Sequence, residues 1–265
     1  MQPLCYKAAI GALRGGAQDT TDAEKERSSA IFAGLGADGI ALLVAMLIMS
    51  LAIHEVAHAW VALRCGDSTA RDLGRITLNP IPHIDPFMTV LLPLLLIASG
   101  SGFLFGGAKP VPVVPSRLRN PYSDMMFVAL AGPVSNFLIA LLLGVLVTLA
   151  LGMGWQTPDM KLINATQWTI YVNLLLAAFN MLPVPPLDGS RVMAFLLPKG
   201  LREPYVMLER YGMLLLVFVI LSGVGGPLII SAMQALYMPV EGLGGWVASL
   251  LGVPAPNLLP GNLQL

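Results

Sequence analysis

Five stretches of the chain, residues 39–63, 86–105, 125–151, 168–182 and 206–238, are almost wholly apolar, and shorter polar segments separate them. Several reach the ~20 residues that a helix needs to cross the hydrocarbon of a bilayer. The pattern predicts an all-α integral membrane protein, a bundle of about four to six transmembrane or half-spanning helices. The first helix is expected to start at a cap, Asp38, to run through Ala41 to Leu63, and to stop near Cys65 and Gly66. After it, residues 69–80 (TARDLGRITLNP) are polar, punctuated by Leu73-Gly74-Arg75, and carry β-branched Ile76 and Thr77. That segment reads as a short β-hairpin at the membrane surface. The stretch 86–105 contains Pro93 and a Ser99-Gly100-Ser101-Gly102 break, so it is expected to dip into the bilayer and return.

Composition agrees with the pattern. The 265 residues are 56% hydrophobic and 11% charged with a mean hydropathy of +0.75, against about 25% charged for an ordinary soluble domain. Net charge is zero and no Lys/Arg-rich run occurs, which sets a nucleic-acid partner aside. The two cysteines, Cys5 and Cys65, lack the spacing of a zinc ribbon or redox pair. Residues 1–36 mix charges and lack the apolar core of a signal peptide; a polar, disordered extension is expected there, then a membrane-embedded domain over 37–240 and a tail over 241–265. Basic residues gather in three loops: Arg64, Arg71 and Arg75; Lys109, Arg117 and Arg119; Arg191, Lys199 and Arg202. Short cytoplasmic loops are enriched in Lys and Arg, so the three are expected on one cytoplasmic side of a bacterial inner membrane. Then 125–151, 168–182 and 206–238 cross, and the N-terminus lies outside. No internal repeat appears, which counts against a transporter built from duplicated halves.

The chemistry is concentrated in the first helix, at His54-Glu55-Val56-Ala57-His58. Two histidines four residues apart project from one helix face, close enough for both imidazoles to reach one tetrahedral ion, with Glu55 beside the metal as a base for its water. Histidines packed between helices are the structural alternative, but ionisable groups in an apolar span are costly, about 2.5–3.5 kcal/mol each by insertion scales. A third ligand must come from elsewhere. Asp188 follows an apolar helix broken by Pro183, Pro185 and Pro186 and precedes Gly189. The prolines bend the chain so that one carboxylate can aim inward, and Gly189 permits a turn with positive φ. A plain Asp-Gly turn, or the cap of a helix over 190–197, is the alternative at that site.

HEVAH and the pattern Asn180-x-x-Pro183-x-x-x-Leu187-Asp188-Gly189 together resemble the site-2 protease family of intramembrane zinc metalloproteases. Gly74-Arg75-Ile76-Thr77-Leu78-Asn79-Pro80, Ala108-Lys109-Pro110-Val111-Pro112 and Ala131-Gly132-Pro133-x-x-Asn136 are similar to its compact bacterial branch. The resemblance covers roughly residues 40–200. It implies one Zn2+ per chain held by His54, His58 and Asp188, with Glu55 as general base and then proton donor to the leaving amine. It also implies that Asn180 positions substrate or stabilises the oxyanion, and that substrates are membrane-spanning or membrane-inserted segments. The expected hairpin is a place where an unwound substrate adds as a strand. His83 and Asp85 read as the start of an interfacial helix, Asp85 capping and Pro86 in its first turn. A second metal site or a contact behind the first is their other reading. Asn136, with Asn173 and Asn180, is among the few polar groups inside the apolar helices. A catalytically inactive relative that binds membrane helices as an adaptor or chaperone is the competing function. It usually lacks Glu55 or a ligand, and here all are present.

Overall fold

The structure is a computed structural model that describes residues 36–86, 91, 95, 107–154 and 161–260. The expected N-terminal extension and most of the expected re-entrant stretch lie outside the described residues. Eight α-helices are described: α1 Gly36–Arg64, α2 Thr69–Asp72, α3 Pro121–Gly152, α4 Lys161–Asn180, α5 Asp188–Leu196, α6 Lys199–Met207, α7 Gly212–Leu221 and α8 Gly225–Leu251. By length and apolarity α1, α3 and α4 are able to cross a membrane; a fourth span results if the α6–α7 region and α8 count as one broken element. The protein is an integral membrane protein.

Small residues bring α1, α3 and α4 close. Ala52, Ala59 and Ala62 of α1, Ala140 of α3 and Ala165, Ala177 and Ala178 of α4 are buried. In a bilayer, helices gain little by hiding apolar surface from lipid, so backbone approach through small side chains supplies the packing. Around Ala140 and Val147 of α3 collect Ile163, Ile170 and Leu174 of α4, Met233 and Val240 of α8, and Leu258. The opposite face of α3 exposes Leu138, Leu142 and Leu146 at four-residue steps, a stripe suited to lipid.

Two sequence expectations need correction, and one permitted conformation is not used. No β-strand occurs among the described residues, so the hairpin expected over 69–80 is absent. Local hydrogen bonds win there. The Asp67 carboxylate accepts from Thr69 N–H at 3.0 Å and Ser68 donates to Asp72 at 2.6 Å, which starts a helical turn that Gly74 ends at φ 68°. Thr77 and Asn79 then accept from the N–H groups two residues on, a turn chemistry that competes with strand pairing. The single apolar span expected over 206–238 is also divided: α8 meets the preceding helical segment at 87°, around Gly223 at φ 72°, a conformation natural to glycine. Finally, Gly189 has no positive φ. It sits in the first turn of α5, where a Cβ would overlap the Met181 and Leu182 carbonyls, so its role is close approach.

Asp67, one of several loop carboxylates in the sequence, becomes a structural pin. It is buried and accepts from Val114 N–H at 2.6 Å and from the Thr69 hydroxyl, tying the end of α1 to the connector that precedes α3. Burial raises its pKa, but the bonds from Thr69 and Val114 and the charge of Arg117 outweigh it, and the carboxyl lies below its ordinary value. Its stabilisation is therefore complete above the unfolded carboxyl's pKa of about 3.9 and is lost as pH falls through the lower folded value. Asp67→Asn is expected to cost about 2 kcal/mol at pH 7. Thermal unfolding in detergent checks this, with the difference from wild type shrinking below pH 4.

Candidate metal centre

His54 and His58 stand on α1 on the face toward α3, both buried. α4 ends at Asn180, and the chain turns through Pro183, Pro185 and Pro186 into α5, which places Asp188 at its first residue. The turn is held by Val184 N–H to the Leu182 carbonyl and Leu187 N–H to the Val184 carbonyl, and by the Tyr205 hydroxyl donating to the Pro183 carbonyl at 2.9 Å. Residues far apart in the chain thus converge. His54 Nε2 and His58 Nε2 are 3.0 Å apart, and they lie 3.4 and 3.5 Å from Asp188 Oδ2. A tetrahedral ion with bonds of about 2.0–2.1 Å separates its ligands by about 3.3 Å, so the triangle has the size that zinc requires. Among the described residues, these three form the one group with such spacing.

α3 forms the outer wall. The His58 Nδ1–H donates to the Val128 carbonyl at 2.7 Å, which fixes its proton there and turns the Nε2 lone pair inward. His54 Nδ1 meets the Asn136 side-chain amide at 3.1 Å. Between them, Gly132 lies against both rings: a Cβ there would stand 2.5 Å from His54 Nε2 and closer still to His58 Nε2. The donor set, the tied Nδ1 atoms and a glycine cradle that any side chain would fill together fit a zinc ion.

Glu55 is buried beside the triangle and accepts from Val111 N–H through Oε2 at 2.8 Å. Val111 belongs to the non-helical connector 107–114, anchored by Arg75 donating to the Lys109 carbonyl at 2.7 Å. The triangle and Glu55 open on a cavity of about 350 Å³ whose walls include Val111, Val113, Met125, Asn180 and Arg191. Asn180 is therefore brought to the site. Arg191, which the sequence reading did not single out, lies on the cavity rim and is paired with Glu209. His83 is not: it sits in the turn Ile81–His83, buried, with Nε2–H donating to the Thr77 carbonyl at 2.9 Å, and among the described residues neither it nor Asp85 joins a metal-sized cluster. Asp85 follows that turn in non-helical backbone. Sequence reasoning also missed the Val111 N–H and the Val128 carbonyl, which as backbone groups carry no residue signature.

Comparison with known proteins bears on this arrangement. Residues 42–155 and 149–223 match the profile of peptidase family M50. The chain is 39% identical over 186 residues to YwhC of Bacillus subtilis (strain 168), covering 69% of this chain and 81% of that protein. It is 29% identical over 184 residues to Rip2 of Mycolicibacterium smegmatis, 68% and 67% of the two chains. To Rip3 of Mycobacterium tuberculosis it is 33% identical over 159 residues, 60% and 30% of the two chains. All three relatives bear the name zinc metalloprotease. No solved structure matches.

Proposed function

The chain belongs to peptidase family M50, the site-2 protease family of zinc metalloproteases, and from that premise we propose that it is an intramembrane endopeptidase acting on transmembrane or membrane-inserted protein segments. The observation that carries the proposal is that the donor triangle is built on a helix long and apolar enough to span a membrane, against a second such helix. A peptidase placed there meets its substrates in lipid.

In this reading His54, His58 and Asp188 hold one zinc ion per chain. Zinc bound there supplies a Lewis acid, lowering the pKa of water toward neutrality and polarising a carbonyl. Glu55 takes a proton from the attacking water and hands it to the amide nitrogen as the C–N bond breaks, leaving a carboxylic acid, which then ionises, and an amine. Asn180, at the cavity wall, offers its amide N–H to the developing oxyanion. The Val111 N–H holds Glu55 Oε2 and leaves the other carboxylate oxygen for the proton. Val111 lies between Pro110 and Pro112 in non-helical backbone, and a residue before proline is biased away from the α region, so proline at 111 removes the donor together with the buried valine side chain. Val111→Pro is expected to slow cleavage about ten- to a hundredfold with zinc content unchanged; an unchanged rate would remove this bond from the mechanism.

A helical substrate shields its peptide bonds with its own hydrogen bonds, so a segment must unwind to enter the cavity. The basic loops support an active site toward the cytoplasmic side of a bacterial inner membrane. Arg64 stacks over Trp60, Arg202 over Tyr122 and Arg210 over Tyr211, the aromatic and cationic pairing of a membrane interface. The direct test is reconstitution in liposomes with transmembrane peptides. Cleavage is expected, to be abolished by a zinc chelator and restored by zinc. Hydrolysis of soluble unstructured peptides alone, with membrane-inserted ones untouched, would overturn the intramembrane reading.

A further inference from the structure

Asn136 is wholly buried on α3, one turn beyond Gly132. With its NH2 group facing His54 Nδ1 at 3.1 Å, its Oδ1 is left buried and without a hydrogen-bond partner. A side-chain amide has nearly the same outline either way round. Turning it by 180° brings Oδ1 to His54 Nδ1, and the NH2 takes the position that Oδ1 vacates.

The demands on His54 decide between the two orientations. An imidazole that gives its Nε2 lone pair to a cation carries its proton on Nδ1, and that N–H needs an acceptor. His58 has one in the Val128 carbonyl at 2.7 Å. Val128 and Asn136 are eight residues apart with Gly132 midway, so one face of α3 presents a carbonyl to one ring, a side-chain amide to the other and a gap between them. We infer that Asn136 is a positioning residue, its Oδ1 accepting from the His54 Nδ1–H and so holding the Nε2 lone pair of His54 toward the metal. The inference rests on the zinc metalloprotease reading and adds to it the group that sets the tautomer of one ligand.

The test compares Asn136→Leu, which keeps the size and deletes the acceptor, with Asn136→Asp, which keeps the acceptor. Zinc affinity is measured by competition with a chromophoric chelator on the full chain in detergent, and helicity and thermal unfolding of the metal-free forms report on folding. Asn136→Leu is expected to bind zinc about 10- to 100-fold more weakly, while Asn136→Asp stays near wild type. Equal affinity in wild type and Asn136→Leu overturns the inference and leaves the metalloprotease reading intact. If Asn136→Leu does not fold, the wild type decides, because the chain has only three histidines and ¹⁵N-histidine NMR resolves their tautomers. The zinc-loaded protein is expected to show an Nδ1–H on both His54 and His58. A His54 ring without that proton overturns the inference. Failure of the wild type to bind zinc overturns the metalloprotease reading itself.

Discussion

Replacing Glu55 with glutamine is expected to lower peptide cleavage by about 10²- to 10⁴-fold while the protein keeps its zinc. Glutamine has the shape of glutamate and still offers an oxygen to the Val111 N–H that now binds Glu55 Oε2 at 2.8 Å. The fold of the connector and the donor triangle should therefore survive. What disappears is the proton acceptor: an amide oxygen is far too weak a base to take a proton from water near neutral pH. Glu55 is not a member of the metal-sized group, so zinc content separates its role from that of the ligands. Cleavage of a reconstituted transmembrane peptide, with zinc measured by atomic absorption on the same sample, checks both halves. Wild-type cleavage in the variant would move the general base to another residue.

The second large effect is expected at a residue with no functional group. Gly132→Ala places a methyl 2.5 Å from His54 Nε2 and Cε1 and nearer still to His58 Nε2, well inside van der Waals contact. Either both rings leave the positions from which they share one ion, or α3 retreats from α1 and carries the Val128 carbonyl and Asn136 with it. Both routes break a geometry that must hold within about 0.5 Å. Zinc affinity is expected to fall by more than about a hundredfold, and cleavage with it. Gly200→Ala, where a Cβ would meet nothing within 4 Å, is the matched control and should bind zinc as wild type does. Tight zinc binding by Gly132→Ala would mean that the α1–α3 spacing is softer than the structure indicates.

What the sequence discloses and what it withholds follow from the range of the interactions. His54, Glu55 and His58 are legible because their relation is local: four residues of helix place two rings side by side whatever the rest of the chain does. The spans α1, α3 and α4 are legible for the same reason, since apolar length alone decides them, whereas the break that divides 206–238 is not. Asp188 is 130 positions beyond His58, yet the prolines before it mark a bend that a lipid-facing helix would not contain. The region 69–80 misleads because β-branched Ile76 and Thr77 suggest a strand, while Asp67 and Ser68 just upstream bond the backbone into a helical turn. Gly189 is recognisable as special, but sequence cannot distinguish a need for positive φ from a need for close approach; only the neighbouring Met181 carbonyl does. The outer wall of the site is the least legible part. A backbone carbonyl at Val128 and a backbone N–H at Val111 leave no trace in residue identity, and Gly132 and Asn136 gain meaning only once α3 is seen against α1.

The central claim, that two imidazoles of α1 and one carboxylate of α5 share a zinc ion, is tested most directly by X-ray absorption spectroscopy of the zinc-loaded protein, wild type beside Asp188→Asn. One zinc per chain is expected in the wild type, with two histidine nitrogens and oxygen donors at about 2.0–2.2 Å, and no bound zinc or a visibly altered oxygen shell in the variant. A sulfur shell from Cys65, or a spectrum identical in the two proteins, would contradict the account.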